Sequence, residues 1–224
     1  MSTTPFYKIG HRAQVDEDVV LGYRYPGDSQ PTRIGDYAII RSGTIIYANT
    51  TIGHRFQCGH QVLIRAEVTI GNRCVVHHKC TLEGRIRIGN GVKIMAHVYI
   101  PSTTVIGNMV FIGPGTTFLN AKYPMRQPGV QGARIEDHVC IGGGVTICPG
   151  VTIGRNSFIG AGSVVNKDVP PDTLAYGVPA RHHPLPEDIS HGNLPEQLLP
   201  QTDLWGAQHD DSWKDEMGDA FPRK

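Results

Sequence analysis

The sequence contains no apolar run of eighteen residues, so it offers no stretch that would cross a membrane as a helix. Its opening decapeptide, MSTTPFYKIG, lacks the charged-then-apolar order of a secretion signal, which points to a cytoplasmic protein. An excess of either charge is missing too. The 21 Lys and Arg stand against 20 Asp and Glu, a formal charge of +1, which gives no ground for expecting a nucleic-acid or membrane surface. None of the five cysteines forms a CxxC pair. Cys58, Cys74 and Cys80 are expected as small buried apolar groups rather than as ligands or disulfide partners.

Helical and simple strand periodicity are also absent from the longest patterned stretch. From Ile34 to Phe118 every sixth residue is apolar, through Ile40, Ile46, Ile52, Cys58, Ile64, Ile70 and onward without a gap. The residue four places after each landing is small or branched at most steps, and Gly often follows the landing, as at Gly35, Gly53, Gly71, Gly89, Gly107 and Gly113. A period of six matches neither a helix face near 3.6 nor a strand face at 2. It fits a short strand plus a turn, repeated, which is the hexapeptide pattern of a parallel β-helix. Glycine after the landing is expected to supply left-handed backbone angles in the turn. The chain is therefore expected to be all-β and a single solenoid of residues 15–183, with an irregular lead-in at 1–14 and a polar, Pro-punctuated tail at 184–224. A short helix is expected near Leu194 to Leu199, with Leu204, Trp205 and Trp213 as anchors for the tail.

The step is broken twice. Seven extra residues fall between Leu21 and Ile34, and eleven between Phe118 and Ile135, after which it resumes through Ile141, Ile147, Ile153, Ile159 and Val165. If three hexapeptides make one coil, which the period itself does not settle, equivalent residues recur every eighteen, and both insertions are expected to leave from the same corner, after the third wall. They lie about five coils, or on the order of 24 Å, apart. Loops on a rigid scaffold are where binding groups gather.

The run IGGGVTICPGVTIGRNSFIGAGSVVNKDVPPDTLAYGVPAR, with its GAGSVV, DVP and GVPAR pieces, resembles the end of the hexapeptide-repeat acyltransferases. That resemblance, with the repeat, covers residues 15–183. It implies three hexapeptides per coil, a left-handed β-helix, a homotrimer, and acyl-coenzyme A in clefts between subunits. The left hand comes from the resemblance alone, because parallel crossovers are otherwise overwhelmingly right-handed. The segment VFIGPGTTFLNAKYPMR is similar to the active-site loop of N-acetyltransferases acting on nucleotide-linked (dTDP or UDP) amino sugars in surface-glycan and lipopolysaccharide synthesis; Phe118, Asn120, Pro124 and Arg126 carry the match. Leu119 stands in place of the family's Thr, and Ala121 where some members have Asp.

Acyl transfer from acetyl-CoA needs a neutral nucleophile, donors for the oxyanion and alignment. A sugar amine flanked by oxygens, with a pKa of about 8, is roughly a tenth neutral at pH 7 and needs little base catalysis. A hydroxyl acceptor needs a positioned His. Asn120, at the mouth of the second loop, and His97, at the second corner, are the catalytic candidates. Tyr123 and Arg126 in the same loop are the substrate-binding candidates. For coenzyme A, Gly143 offers close backbone approach, Lys167 and Arg181 offer charge, and Ala161 and Pro179 follow from the resemblance. Three alternatives stand beside this reading: O-acetylation of a sugar or small alcohol, a zinc-dependent γ-type carbonic anhydrase using His60, His78 and His97, and a non-catalytic scaffold.

Overall fold

A computed structural model of the chain describes residues 6–27, 29–123 and 129–190. It is a left-handed, three-sided parallel β-helix. The first wall stacks strands from Tyr7–Ile9 to Thr152–Ile153. The second runs from Gln14–Val15 to Phe158–Ile159, and the third from Val20–Tyr23 to Val164–Val165. Successive strands of one wall are eighteen residues apart, as in Ile70↔Ile88 and Leu82↔Ile100, so three hexapeptides make one coil. Across the second insertion the register becomes Ile106↔Ile135, which places the eleven added residues outside the coil. Both insertions leave the third wall and return to the first, as the step count requires. The solenoid begins earlier than the lead-in boundary suggests, because Tyr7–Ile9 already pairs with Thr32–Ile34.

The core is a column of the landing residues and their partners two places earlier. Ile40, Ile46, Ile64, Leu82, Ile100 and Phe118 are fully buried, with Val62, Val98 and Val110 between them. Buried threonines satisfy themselves across the coil: the hydroxyls of Thr44 and Thr116 donate to the carbonyls of Gly59 and Gly142 at 3.2 and 3.0 Å. Cys58, Cys74 and Cys80 are buried as expected; burial pushes the Cys58 and Cys80 thiols up to about 11 and Cys74 to about 12.

The glycines after the landings play a different part from the one expected. The left-handed angle falls three residues past the landing, and on residues such as Tyr37 (φ 60°), Arg55 (57°) and Gln61 (58°). Gly35 and Gly89 are needed because the next coil passes too close: a Cβ would sit 2.7 Å from the carbonyl carbons of Gly53 and Gly107.

The first corner is closed by a ladder of side chains. Asn72, Asn90, Asn108 and Asp137 each accept, through Oδ1, the backbone N–H one coil earlier, at 2.7 to 2.9 Å. At the C-terminal end, Thr173–Gly177 continues the second wall in parallel with Phe158–Ile159 and turns back as Ala180–Pro184. The tail then enters a 3-10 turn at Glu187–Ile189, and the Ser190 carbonyl accepts from Asn156 Nδ2 at 3.0 Å. The expected helix and its Leu204, Trp205 and Trp213 anchors lie outside the described residues. Among the described residues no helix is long and apolar enough to cross a membrane.

Candidate functional site

The second corner changes character along the solenoid axis. Two columns of residues climb it, linked by backbone bonds in which the left-handed residue of one coil donates to the carbonyl of the coil before. Gln61 donates to Ser42, Lys79 to His60, His97 to His78, Gly115 to Ala96, Gly144 to Pro114 and Gly162 to Gly143, at 2.8 to 3.1 Å. One column is thus Ser42, His60, His78, Ala96, Pro114, Gly143 and Ala161. The other is Gln61, Lys79, His97, Gly115, Gly144 and Gly162. Side chains stop at His97, which is exposed at φ 61°. Above it, Gly115, Gly144 and Gly162 all have positive φ, between 65° and 70°, and a Cβ on any of them would meet nothing within 4 Å. Three coils therefore present bare backbone in line with one imidazole.

The top of that track is the final hairpin. Register places Gly160 beside Tyr176, so the tip at Gly177 to Ala180 stands over Ala161 and Gly162. The Gly177 N–H donates to Ser163 Oγ at 3.1 Å, and Tyr176 stacks on His183 with centroids 4.3 Å apart. Gly143, Ala161 and Pro179 thus lie along one edge, and Arg181 pairs with Tyr176 at its upper end. Lys167 does not join them. It follows the third-wall strand Val164–Val165 and stands at the third corner.

Asn120 is also at the third corner. Its Nδ2 donates to the Ser102 hydroxyl and carbonyl at 3.1 and 3.3 Å, and its own carbonyl accepts the N–H of Gln131 at 2.8 Å. The residue thereby ties the neck of the second loop to the preceding coil, which accounts for a polar side chain at that turn. Tyr123 is half-exposed beyond the neck, with Lys122 Nζ 5.6 Å from its ring centre. Arg126 and Pro124 fall outside the described residues. Asn120 and His97 flank opposite edges of the third wall, so one chain does not bring the two catalytic candidates together.

The three histidines of the zinc alternative are not one stack. His60 and His78 share a column, His97 occupies the next, and the His78 and His97 rings meet edge to face at 5.5 Å. Ser42 Oγ lies 2.7 Å from His60 Nδ1. Among the described residues no three His, Cys, Asp or Glu side chains are grouped to hold a metal ion. His77, beside this corner, has its Nε2 buried without a hydrogen bond, and burial, followed by the nearby Lys93 charge, lowers its pKa. Local sequence does not single out Gly115, because glycine is common in every turn; only its place eighteen residues above His97 distinguishes it.

Residues 85–120 and 132–167 match the family model described as bacterial transferase hexapeptide (six repeats). The break between the two spans coincides with the second extruded loop. A galactoside O-acetyltransferase from Lactococcus lactis is 44% identical over 81 residues, which are 33% of this chain and 39% of that protein. The chain spans about two fifths of the length of the curated relatives it matches. A hexapeptide-repeat acetyltransferase from Vibrio cholerae, solved with acetyl coenzyme A, is 40% identical over 49% of this chain and 70% of its own, with a TM-score of 0.42. The UDP-N-acetylglucosamine acyltransferase of Campylobacter jejuni has the same fold at 16% identity, covering 97% of this chain and 92% of its own with a TM-score of 0.52. With the six-residue step, the two matched spans and the three-walled coil all in agreement, the chain belongs to the bacterial transferase hexapeptide family.

Proposed function

We propose that the protein transfers an acetyl group from acetyl-CoA to a sugar acceptor. The observation that carries this reading is the bare track of Gly115, Gly144 and Gly162 above His97. An extended pantetheine arm needs a path without side chains and with backbone groups in reach, and it would lay its thioester end beside the imidazole at the foot of the track. Pro179 and Arg181 at the hairpin then face the nucleotide end, Arg181 supplying positive charge for its phosphates. In the transfer the thioester C–S bond breaks, a bond from the acetyl carbon to the acceptor forms, and the acceptor's proton ends on the sulfur of free coenzyme A.

A homotrimer in the cytoplasm completes the site. His97 and Asn120 lie at opposite edges of one wall, so the third corner of a second copy must meet the second corner of the first. Lys167, at the third corner, joins the coenzyme A site by the same step. The mouth of the second loop, with Phe118 buried under Asn120, supports as acceptor the amine of a dTDP- or UDP-linked deoxyamino sugar, with Asn120 orienting the amine and Tyr123 and Arg126 contacting the sugar. The second reading is O-acetylation. It is supported by the exposed imidazole of His97, the base that a hydroxyl requires, and by the activity in the name of the Lactococcus relative.

The test is thiol release from acetyl-CoA with purified protein, using dTDP- and UDP-linked amino sugars beside simple glycosides. Turnover with sugars upholds the reading, and its dependence on an amine separates the two acceptors. No thiol release with any sugar rejects it.

A further inference from the structure

The first corner and the second wall of the solenoid are covered where their counterparts are open. Strand side chains alternate, so one residue of each two-residue strand points outward. On the first wall the outward residues Arg33, Thr51, Thr69 and Arg87 are exposed, and on the third Tyr99 is 39% exposed. On the second wall the equivalent Ile39, Val75 and Lys93 are buried, Val75 to 3%. The corners differ in the same way. Gln61, Lys79 and His97, the left-handed residues of the second corner, are exposed, whereas Arg73 and Met109, in the same place at the first corner, are only 9% and 2% exposed. Repeated coils would leave all three sides about equally open, so the difference points to a cover laid along this one.

The chemistry of the face describes its cover. Ile39, Val75, Phe111 and Phe158 form an apolar strip, and no outward position of the second wall is acidic. Lys93 on the wall and Arg55 and Arg73 at the corner add positive charge, while the corner carboxylates Asp36 and Asp137 are engaged by the backbone N–H groups of His11 and Asn108. Among the described residues, Gln57 Oε1 and His77 Nε2 are buried on this side without a hydrogen bond. Peptide backbone can supply both a donor and an acceptor to such groups. The face therefore fits an acidic peptide with large apolar side chains. Residues 191–224 have that composition: seven carboxylates against three Lys and Arg, with Leu198, Leu199, Leu204, Trp205 and Trp213. They follow Ser190, whose carbonyl accepts from Asn156 Nδ2, and Asn156 stands in the first-corner column two coils above Met109 and four above Arg73. Four coils are about 19 Å, a distance that roughly six extended residues span.

We propose that residues 191–224 dock within their own chain along the first corner and over the second wall, and so border the second corner beside His77. Both tryptophans of the protein fall in this segment, so tryptophan emission reports on it alone. In the folded full chain, acrylamide is expected to quench that emission severalfold less than in the urea-unfolded chain. Val75→Asp, which sets a carboxylate on the strip, is expected to raise quenching to the unfolded level, and Arg73→Glu to raise it in part. Thr69→Asp, at the same outward rank on the first wall, leaves it unchanged. A second measurement replaces Phe111 by the photo-cross-linker p-benzoylphenylalanine in heavy-isotope-labelled and unlabelled chains refolded together. Cross-links are expected into residues 191–224 of chains of the same label only. Equal quenching in folded and unfolded wild type, or equal effects of Val75→Asp and Thr69→Asp, overturns the proposal. Cross-links between chains of different label overturn it too, and if Val75→Asp does not fold, the absence of any cross-link from Phe111 into the segment does so.

Discussion

The second and third corners of the solenoid are built on the same coil and differ in opposite directions. The second is progressively stripped: side chains at Ser42, His60, His78 and His97 give way to Gly115, Gly144 and Gly162. The third is added to: two insertions leave it, the first carrying Tyr25, and between them lie Arg65, Glu83 and Ser102. A rigid wall with fixed 4.8 Å spacing leaves a solenoid few ways to make a site. It can remove side chains to admit a long thin ligand, or extrude chain to grip a compact one. Under the proposed function the protein does the first for acetyl-CoA and the second for the acceptor.

The largest effect comes from breaking what both corners rest on. Phe118→Ala, at a fully buried ring beneath the second loop, should cost about 3–5 kcal/mol in urea unfolding and disturb both corners together. His97→Ala acts at the second corner alone. With a hydroxyl acceptor it should lower kcat by about a hundredfold or more, and with an amine acceptor by much less. Ala161→Phe places a ring beside the bare track, next to Gly162, and should raise KM for acetyl-CoA by on the order of tenfold, leaving KM for the acceptor unchanged. Asn120→Ala reverses that pattern: acetyl-CoA binding is retained, kcat falls by about tenfold, and the second loop loses its tie to Ser102. The smallest effect is confined to high pH. Unfolded thiols ionise near 9, whereas Cys58 and Cys80 are held at about 11 when folded. Their contribution to stability is complete below pH 9 and lost as pH rises toward 11, roughly 1 kcal/mol per thiol by pH 10, and it can be read from unfolding midpoints.

The same contrast explains what the sequence disclosed. Inward positions are readable because a residue every six places must be apolar whatever its wall; the register of Ile34, Ile52 and Ile70, and the shared corner of both insertions, follow from counting once the family resemblance supplies three hexapeptides per coil. Outward positions obey no such rule. Arg65 and Glu83 are eighteen apart and touch, yet neither carries a local motif. Nearness in sequence groups Lys167 with Gly143 and Ala161, but two residues past Val165 it is already on another edge. A stride of nineteen sets His97 beside His60 and His78, and that single extra residue moves it into the glycine column. The turn glycines mislead for a related reason: what confines Gly35 and Gly89 is the neighbouring coil, which sequence order does not show.

Subunit mixing tests the central claim most directly, since that claim places the second corner of one copy against the third corner of another. Ala161→Phe and Asn120→Ala chains, each of low activity alone, are unfolded together, refolded in equal amounts and assayed for thiol release. If the corners act across subunits, random assembly restores intact sites at about a quarter of the wild-type number. Activity no higher than the average of the two separate variants would contradict it.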